Sequence, residues 1–432
     1  MNSIWEKSEK PNFETLKGEV KTDVLIIGGG LAGILCGWKL KNAGVNCIIA
    51  EANEICSGTT GNTTGKITVQ HGCIYAKMLK RFGRDATKLY IKAHNEALEE
   101  YRGLSGKINC DFKEQNSFVY AINDRTKIEK EVAALNSMGI NARFCESLPL
   151  PFSVAGAVKF ENQAQFNPLK FAYSLAPDLN IFENTRILEL MPDGAVTQNG
   201  KIKAEKIIVT THFPFLNKHG AYFIKMYQHR SYVLALSGAE NVNGMYVDES
   251  DRGLSFRNCG ELLLLGGGGH RTGKKGGARG ELYSFARVHY PKAKAVAHWA
   301  AQDCKTLDDI PYIGQYSKST PNLYVATGFN KWGMTSSMVS ATVLCDLING
   351  KPNEYAEIFS PSRSVIRPQL AVNVGEAAIG MFKPTVPRCP HLGCALKFNP
   401  LEHSWDCSCH GSRFNADGKL LDGPANGDKK LK

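Results

Sequence analysis

The chain has 432 residues, 43% hydrophobic and 22% charged, which is ordinary globular usage with room for two or three domains. Its formal charge of +11 is spread thinly, and the densest stretch, His270 to Arg279, is Gly-rich, so a basic solvated surface is expected and no nucleic-acid partner. No apolar run nears the ~20 residues that span a bilayer, and Met1 to Lys21 carries no signal-peptide core, so a cytoplasmic protein without a transmembrane segment is expected.

Val24 to Ile27 is an unbroken apolar, β-branched run, the pattern of a strand buried on both faces. It feeds Gly28-Gly29-Gly30-Leu31-Ala32-Gly33, a G-x-G-x-x-G turn, and then Ile34 to Ala43 with helical spacing. Gly44 stops the helix, and Cys47 to Ala50 makes a second buried strand. Gly28 permits the tight turn, Gly30 lets backbone approach a pyrophosphate, and Gly33 lets helix and strand pack closely. The helix start, with Leu31 and Ala32, offers free amides to phosphate. Glu51 closes the second strand, where a carboxylate can accept both ribose hydroxyls. FAD and NAD fit these residues equally.

Further along, helices are predicted over Asp85 to Ser105 and Asp124 to Met138, with strand-like stretches at Ser117 to Ile122 and Ala157 to Phe160. Ile202 to Thr211 returns to a buried strand, while Tyr227 to Leu236 and Glu261 to Leu265 suit a second sheet. Asn322 to Asn349 reads strand, Gly turn, helix, and the Pro/Ser-bearing Phe359 to Pro368 reads as a linker. This interleaving predicts a discontinuous cofactor domain over about 20–80, 155–215 and 300–355, with an inserted α+β substrate domain mainly over 85–150 and 220–298.

Three later segments separate the cofactors by resemblance. Gly58 to Lys66, Asp309-Ile310-Pro311-Tyr312-Ile313-Gly314 and Leu323 to Gly328 with Trp332-Gly333-Met334 follow the glycine turn in an order similar to the D-amino-acid-oxidase-like (DAO) superfamily of FAD enzymes. The resemblance covers roughly residues 20 to 350 and implies a Rossmann-like FAD-binding domain. It implies that Thr59, Thr60, Thr64 and Gly65 approach the flavin and pyrophosphate, that Gly328 and Gly333 sit near the flavin ring, and that backbone at Ile187 meets the adenine. Many amine oxidases of that family carry Trp-x-Gly-Leu-Arg-Pro, whose Arg pairs the substrate carboxylate. Here the stretch is Trp299 to Cys304 and Asp303 stands in place of the Arg, so a cationic or neutral substrate is expected unless Asp303 caps a surface turn. Candidate active-site side chains are His71, His212, His229, Arg230 and His270, with His71 and Arg230 first as catalytic residues; a structural, hydrogen-bonded role is the alternative for each.

Of 13 cysteines, nine are scattered singly and are expected to be buried, inert thiols. The other four lie in Cys389-Pro390-His391-Leu392-Gly393-Cys394 and Cys407-Ser408-Cys409-His410-Gly411-Ser412, which closely resemble the Rieske [2Fe–2S] signature. A zinc site is the competing chemistry for such a set. The resemblance implies that Cys389 and Cys407 hold one iron, His391 and His410 the other, and that Cys394 and Cys409 form a disulfide. It implies that Gly423-Pro424-Ala425 covers the cluster and that the Ser412 hydroxyl bonds a bridging sulfide. Phe414 stands where high-potential members carry Tyr, so a lower potential is expected. Little chain precedes the first ligand loop, so a shortened all-β module is expected over 384–432, after a linker with residual strands over 356–383, leaning on the flavin domain.

The whole arrangement, with Ser3-Ile4-Trp5 and Thr63 to Gly72, resembles a bacterial family of DAO-type FAD oxidoreductases with a C-terminal Rieske domain. That implies oxidation of a C–N bond of a small-molecule amine, with electrons leaving singly to an external acceptor. Alternatives are a reductase that takes electrons from a donor through the cluster, and a non-catalytic redox sensor.

Overall fold

The computed structural model describes residues 3–250, 253–274, 276, 278–364, 366–384 and 387–429. The elements that position the sites are β1 (Gly18–Ile27), α1 (Leu31–Asn42), β2 (Cys47–Ala50), β3 (Gly200–Val209), β4 (Met226–Ser237), β5 (Leu262–Arg271), β6 (Lys294–Thr306), β7 (Leu323–Thr327), α2 (Gly333–Ile348) and α3 (Pro368–Phe382).

β1 lies inside a mainly parallel sheet, flanked by β2 and β3, with β7 parallel to β3 beyond. Val24 to Ile27 are buried on both faces, which is why the run carries no polar residue. α1 and α2 cover one face and pack on each other, and Gly37 lets α1 lie close on the sheet, where a Cβ would stand 2.9 Å from Ile49. This core joins Trp5, Ile26, Leu35, Ile49, Met338 and Leu344.

The second sheet runs β6–β4–β5, then Ser255–Cys259, Met245–Asp248, Lys113–Ala121, Gly156–Gln165 and Lys66–Ile67. Two expected boundaries therefore move. Gly156–Gln165 and the 300–306 part of β6 are expected in the cofactor domain, yet both pair antiparallel within the substrate sheet, β6 along the length of β4. The predicted Asp85 helix is the second part of Tyr75–Ser105, which breaks at Gly83 (φ 82°). The scattered thiols follow expectation: Cys36, Cys47, Cys56, Cys73, Cys110 and Cys304 are buried and Cys145, Cys259 and Cys345 half-buried, with burial pushing the thiol of Cys47 up to about 11.

Among the described residues of 356–383 the expected residual strands are absent. Ala356–Phe359 and α3 are helical, because Pro368 sits at the first turn, where its missing N–H costs nothing, and Ala371, Ala377 and Ala378 favour helix over Val372 and Val374. α3 leads into a four-stranded antiparallel sheet of Leu396–Asn399, Ser404–Cys407, Arg413–Asn415 and Leu420–Asp422. Its small core is Cys389, Leu396, Cys407, Phe414 and Ala425 with Trp405 alongside. Among the described residues no helix is long and apolar enough to cross a membrane.

Candidate cofactor sites and the cavity between them

The end of β1 turns at Gly28 (φ 110°), where a Cβ would stand 2.9 Å from the Thr210 carbonyl oxygen; one on Gly33 would stand 1.9 Å from that of Gly28. Both positions exclude any larger residue. Gly30 starts α1 without a side-chain cap, and the nearest atom to a Cβ there is Thr60 Oγ1 at 3.4 Å, so the approach to the helix start stays clear. Thr60 Oγ1 accepts the Leu31 amide (3.0 Å), and Ala32 follows in the first turn. Glu51 accepts the amides of Gly29 (2.7 Å) and Asn53 (2.8 Å); burial raises its pKa against those two bonds. The carboxylate therefore braces the glycine turn from the position from which it can reach a ribose.

The other carried-over residues spread around this turn. Thr59 donates to the Gln302 carbonyl (3.1 Å) and so ties the small-residue loop to β6. Thr64 accepts from Lys66 Nζ (3.1 Å), and the Gly65 carbonyl takes the Arg257 guanidinium (2.9 Å). Gly328 (φ 71°) follows β7, and a Cβ on it would meet Thr306 at 2.3 Å; Gly333 opens α2. Ile187 is buried, and its carbonyl accepts from Asn426 (2.9 Å) of the C-terminal module.

A cavity of about 600 Å³ opens beside the loop, lined among others by Thr64, Lys66, His71, Tyr227, Asp303 and Trp332. His71 is fully buried, paired through Nδ1 to the Tyr90 hydroxyl (2.7 Å) and through Nε2 to the Thr68 carbonyl (2.9 Å) and Thr335 hydroxyl (3.1 Å), and stacked on Trp332. Burial lowers its pKa to about 3, so the ring is neutral. Asp303 lines the cavity rather than capping a surface turn; burial raises its pKa while Lys331, His212 and Lys305 oppose. Lys66, the last residue of the small-residue run, is a candidate that the sequence does not single out: burial and then Arg257 push its ammonium down to about 7 at the cavity wall. A lysine inside a run of small residues was the available signal.

Arg230 is a correction. It is not among the cavity-lining residues but holds Glu402 of the C-terminal module through Nε (2.7 and 2.9 Å) and Nη2, and so is committed to an ion pair. Glu402 also takes Arg413 (3.0 Å) and the Tyr232 hydroxyl (2.6 Å). His270 pairs with that same hydroxyl (3.0 Å), His229 is buried in β4, and His212 (φ 67°) accepts the Thr327 hydroxyl at its carbonyl.

In the C-terminal module two loops present the expected ligands. Each closes on itself: the Gly393 amide donates to the Cys389 carbonyl (2.9 Å) and the Gly411 amide to that of Cys407 (2.9 Å), with both glycines at positive φ. The Nδ1 atoms of His391 and His410 face each other at 3.3 Å. Burial and then His410 lower the His391 pKa to about 4, which leaves the neutral imidazole a metal requires. Cys389 and Cys407 are engaged with each other, Cys407 also with His410, and the Ser412 hydroxyl reaches Cys389, while Ser412 Oγ also accepts the Ala425 amide (3.0 Å) of the covering loop. Two thiols beside two convergent imidazoles fit an iron–sulfur cluster of mixed ligation. The expected Cys394–Cys409 bond is not formed: both are free thiols, whose sulfurs lie within 4.8 Å of each other and of Cys407, and each is engaged with Cys407. Phe414 is wholly buried, and His403 sits at an exposed hairpin turn.

Fold and sites together define a flavin-dependent oxidoreductase fused to an iron–sulfur module. The chain belongs to the DAO family of FAD dependent oxidoreductases, which matches residues 23–347, and a Rieske [2Fe-2S] domain matches residues 354–431. It is similar to the putative Rieske 2Fe-2S iron-sulfur protein YhfW of Bacillus subtilis (strain 168), 34% identical over 98% of this chain and 96% of that one. It is more distantly similar to gamma-glutamylputrescine oxidoreductase of Escherichia coli (strain K12), 21% identical over 79% of this chain and 87% of that one. Its fold matches glycine oxidase from Geobacillus kaustophilus with a TM-score of 0.67 at 20% identity, covering 80% of this chain and 99% of that one. The protein is thus an FAD-dependent oxidoreductase that binds FAD and a Rieske [2Fe–2S] cluster.

Proposed function

We propose that the chain oxidises a C–N bond of a small amine and passes the electrons singly, through the cluster, to an external acceptor. FAD supplies hydride acceptance and the cluster one-electron exchange. The observation that carries the reading is Asp303 in the cavity wall, where a carboxylate attracts an ammonium and repels the substrate carboxylate that an Arg would have held. Lys66, pushed down to about 7, can hold or release a proton at Nζ near neutral pH. His71, neutral and fixed by three hydrogen bonds, orients groups rather than ferrying protons. Cys389, His391, Cys407 and His410 hold the cluster, and Cys394 and Cys409, with sulfurs within 4.8 Å of each other, are the pair that an external two-electron oxidant would close into a disulfide. The relatives named for gamma-glutamylputrescine and glycine support an amine.

The test is anaerobic mixing of the loaded protein with a panel of amines, following flavin bleaching and then the cluster's EPR signal. Bleaching followed by the signal is expected. Flavin that no amine bleaches, but that reduces when electrons enter through the cluster, would establish the opposite flow.

A further inference from the structure

β4 and β6 pair antiparallel, and successive side chains on each point to opposite faces. Tyr227, Ser231, Tyr232 and Val233 of β4, which is irregular between Arg230 and Tyr232, and Ala301, Asp303, Lys305 and Thr306 of β6 line the cavity. The residues between them, Gln228 and Arg230 of β4 and Gln302 of β6, reach the C-terminal module. The wall between flavin cavity and module is therefore a single layer of strands.

Gln228 and Gln302 are 2% and 3% exposed, and all their side-chain polar atoms are bonded. Gln302 Nε2 donates to Gln228 Oε1 (2.6 Å) and to the Gly411 carbonyl (2.8 Å), and its Oε1 accepts the Thr272 hydroxyl (2.9 Å). Gln228 Nε2 donates to the carbonyls of His410 (2.8 Å) and Gly423 (2.7 Å). Three carbonyls, two in the ligand loop and one in the covering loop, thus end on one amide pair. A Cβ on Gly411 would stand 2.5 Å from that of Gln228, so the approach is as close as glycine allows.

Around the pair, Asn217 Oδ1 lies 2.7 Å from His391 Nε2 and the Phe223 ring sits edge-on to His410. Arg271 donates to the carbonyls of Ser408 and Cys409 (3.2 Å each) with its guanidinium over Tyr227. Both imidazoles are turned against the flavin domain.

We propose that Gln228 and Gln302 are positioning residues: they clamp the histidine-bearing loop to the reverse face of the cavity wall, holding the module in a fixed seat for one-electron exchange with the flavin across β4 and β6. A neutral amide pair suits the task, because it satisfies buried carbonyls without placing a charge in the wall. The exchange rests on the proposed substrate-to-cluster reading; the clamp rests on geometry. Each amine oxidised delivers two electrons to the flavin and each passage to the cluster moves one, so a one-electron acceptor must reoxidise the cluster twice per substrate.

The test uses the full chain with both cofactors, as wild type, Gln228→Leu and Gln302→Leu. Light with a deazaflavin donor reduces the flavin without any amine, so a failed amine reading leaves this test standing. Hydrogen exchange of the 407–412 and 423–425 loops is read alongside. Loss of one to two buried hydrogen bonds is expected to speed loop exchange by about 10-fold and to slow cluster reduction by a similar factor, with flavin photoreduction unchanged. If the leucine variants lose the cluster, Gln228→Asn decides, since it keeps the amide and shortens its reach by one methylene. Slower cluster reduction with an unaltered EPR line supports the clamp. Wild-type exchange and wild-type transfer rates in the variants would overturn it.

Discussion

Replacing Glu402 by Gln removes the charge on which Arg230 of the flavin domain and Arg413 of the cluster module converge. Burial alone would raise the Glu402 pKa, but Arg230, Arg413 and the Tyr232 hydroxyl outweigh it and bring it from 4.5 to about 2. A depressed carboxylate stabilises the fold fully above its unfolded value and loses that contribution as pH falls through the folded one. The difference of 4.5 − 2, at 1.36 kcal/mol per unit, is worth about 3 kcal/mol above pH 4.5. The side chain is only 10% exposed, so solvent screening takes little from this figure. Glu402→Gln should then speed hydrogen exchange in Ser404–Cys407 and Arg413–Asn415 on the order of 100-fold at pH 7, if these strands open as one unit. The gap between wild type and variant should narrow from pH 4.5 downward and close near pH 2. A variant within threefold of wild type at pH 7, or a gap that stays constant down to pH 3, would refute the assignment of that energy to Glu402.

Gly33→Ala places a Cβ 1.9 Å from the Gly28 carbonyl oxygen, so the purified variant should carry little FAD while its cluster absorption persists; full flavin occupancy would count against the turn as described. His71→Asn should lower the amine-driven rate without moving its pH inflections between 5 and 9, because burial already holds the ring neutral down to about 3; an inflection abolished by the change would restore His71 as a proton carrier. Phe414→Tyr restores a hydroxyl beside the ligand loops and should raise the cluster's midpoint potential in a redox titration, an unchanged or lowered value being the adverse result.

The two cofactor sites were legible because their chemistry is local. The glycine turn, α1 and Glu51 lie in one continuous strand–turn–helix–strand unit, and the cluster ligands in two short loops whose glycines set their shape. Spacing along the chain reports geometry when the intervening residues have one easy conformation. α3 shows the limit: a linker with residual strands is expected over 356–383, but Pro368 and the alanines select a helix of which only Asn373 and Gly380 are buried.

What the tertiary structure decided is everything that depends on pairing across long stretches of chain. Arg230 reads from its neighbours as an active-site cation; it is an ion-pair partner because the module brings Glu402 to it from 172 residues away. The side of β6 on which Asp303 and Gln302 fall follows from its register with β4, and a shift of one residue would exchange them between cavity and module. Sequence, through its motifs and the family they resemble, therefore determined which cofactors are held and singled out the candidate ligands. Only the packed sheet could decide that the module sits one strand layer behind the flavin cavity, since that proximity is built from hydrogen bonds between segments with no local relation.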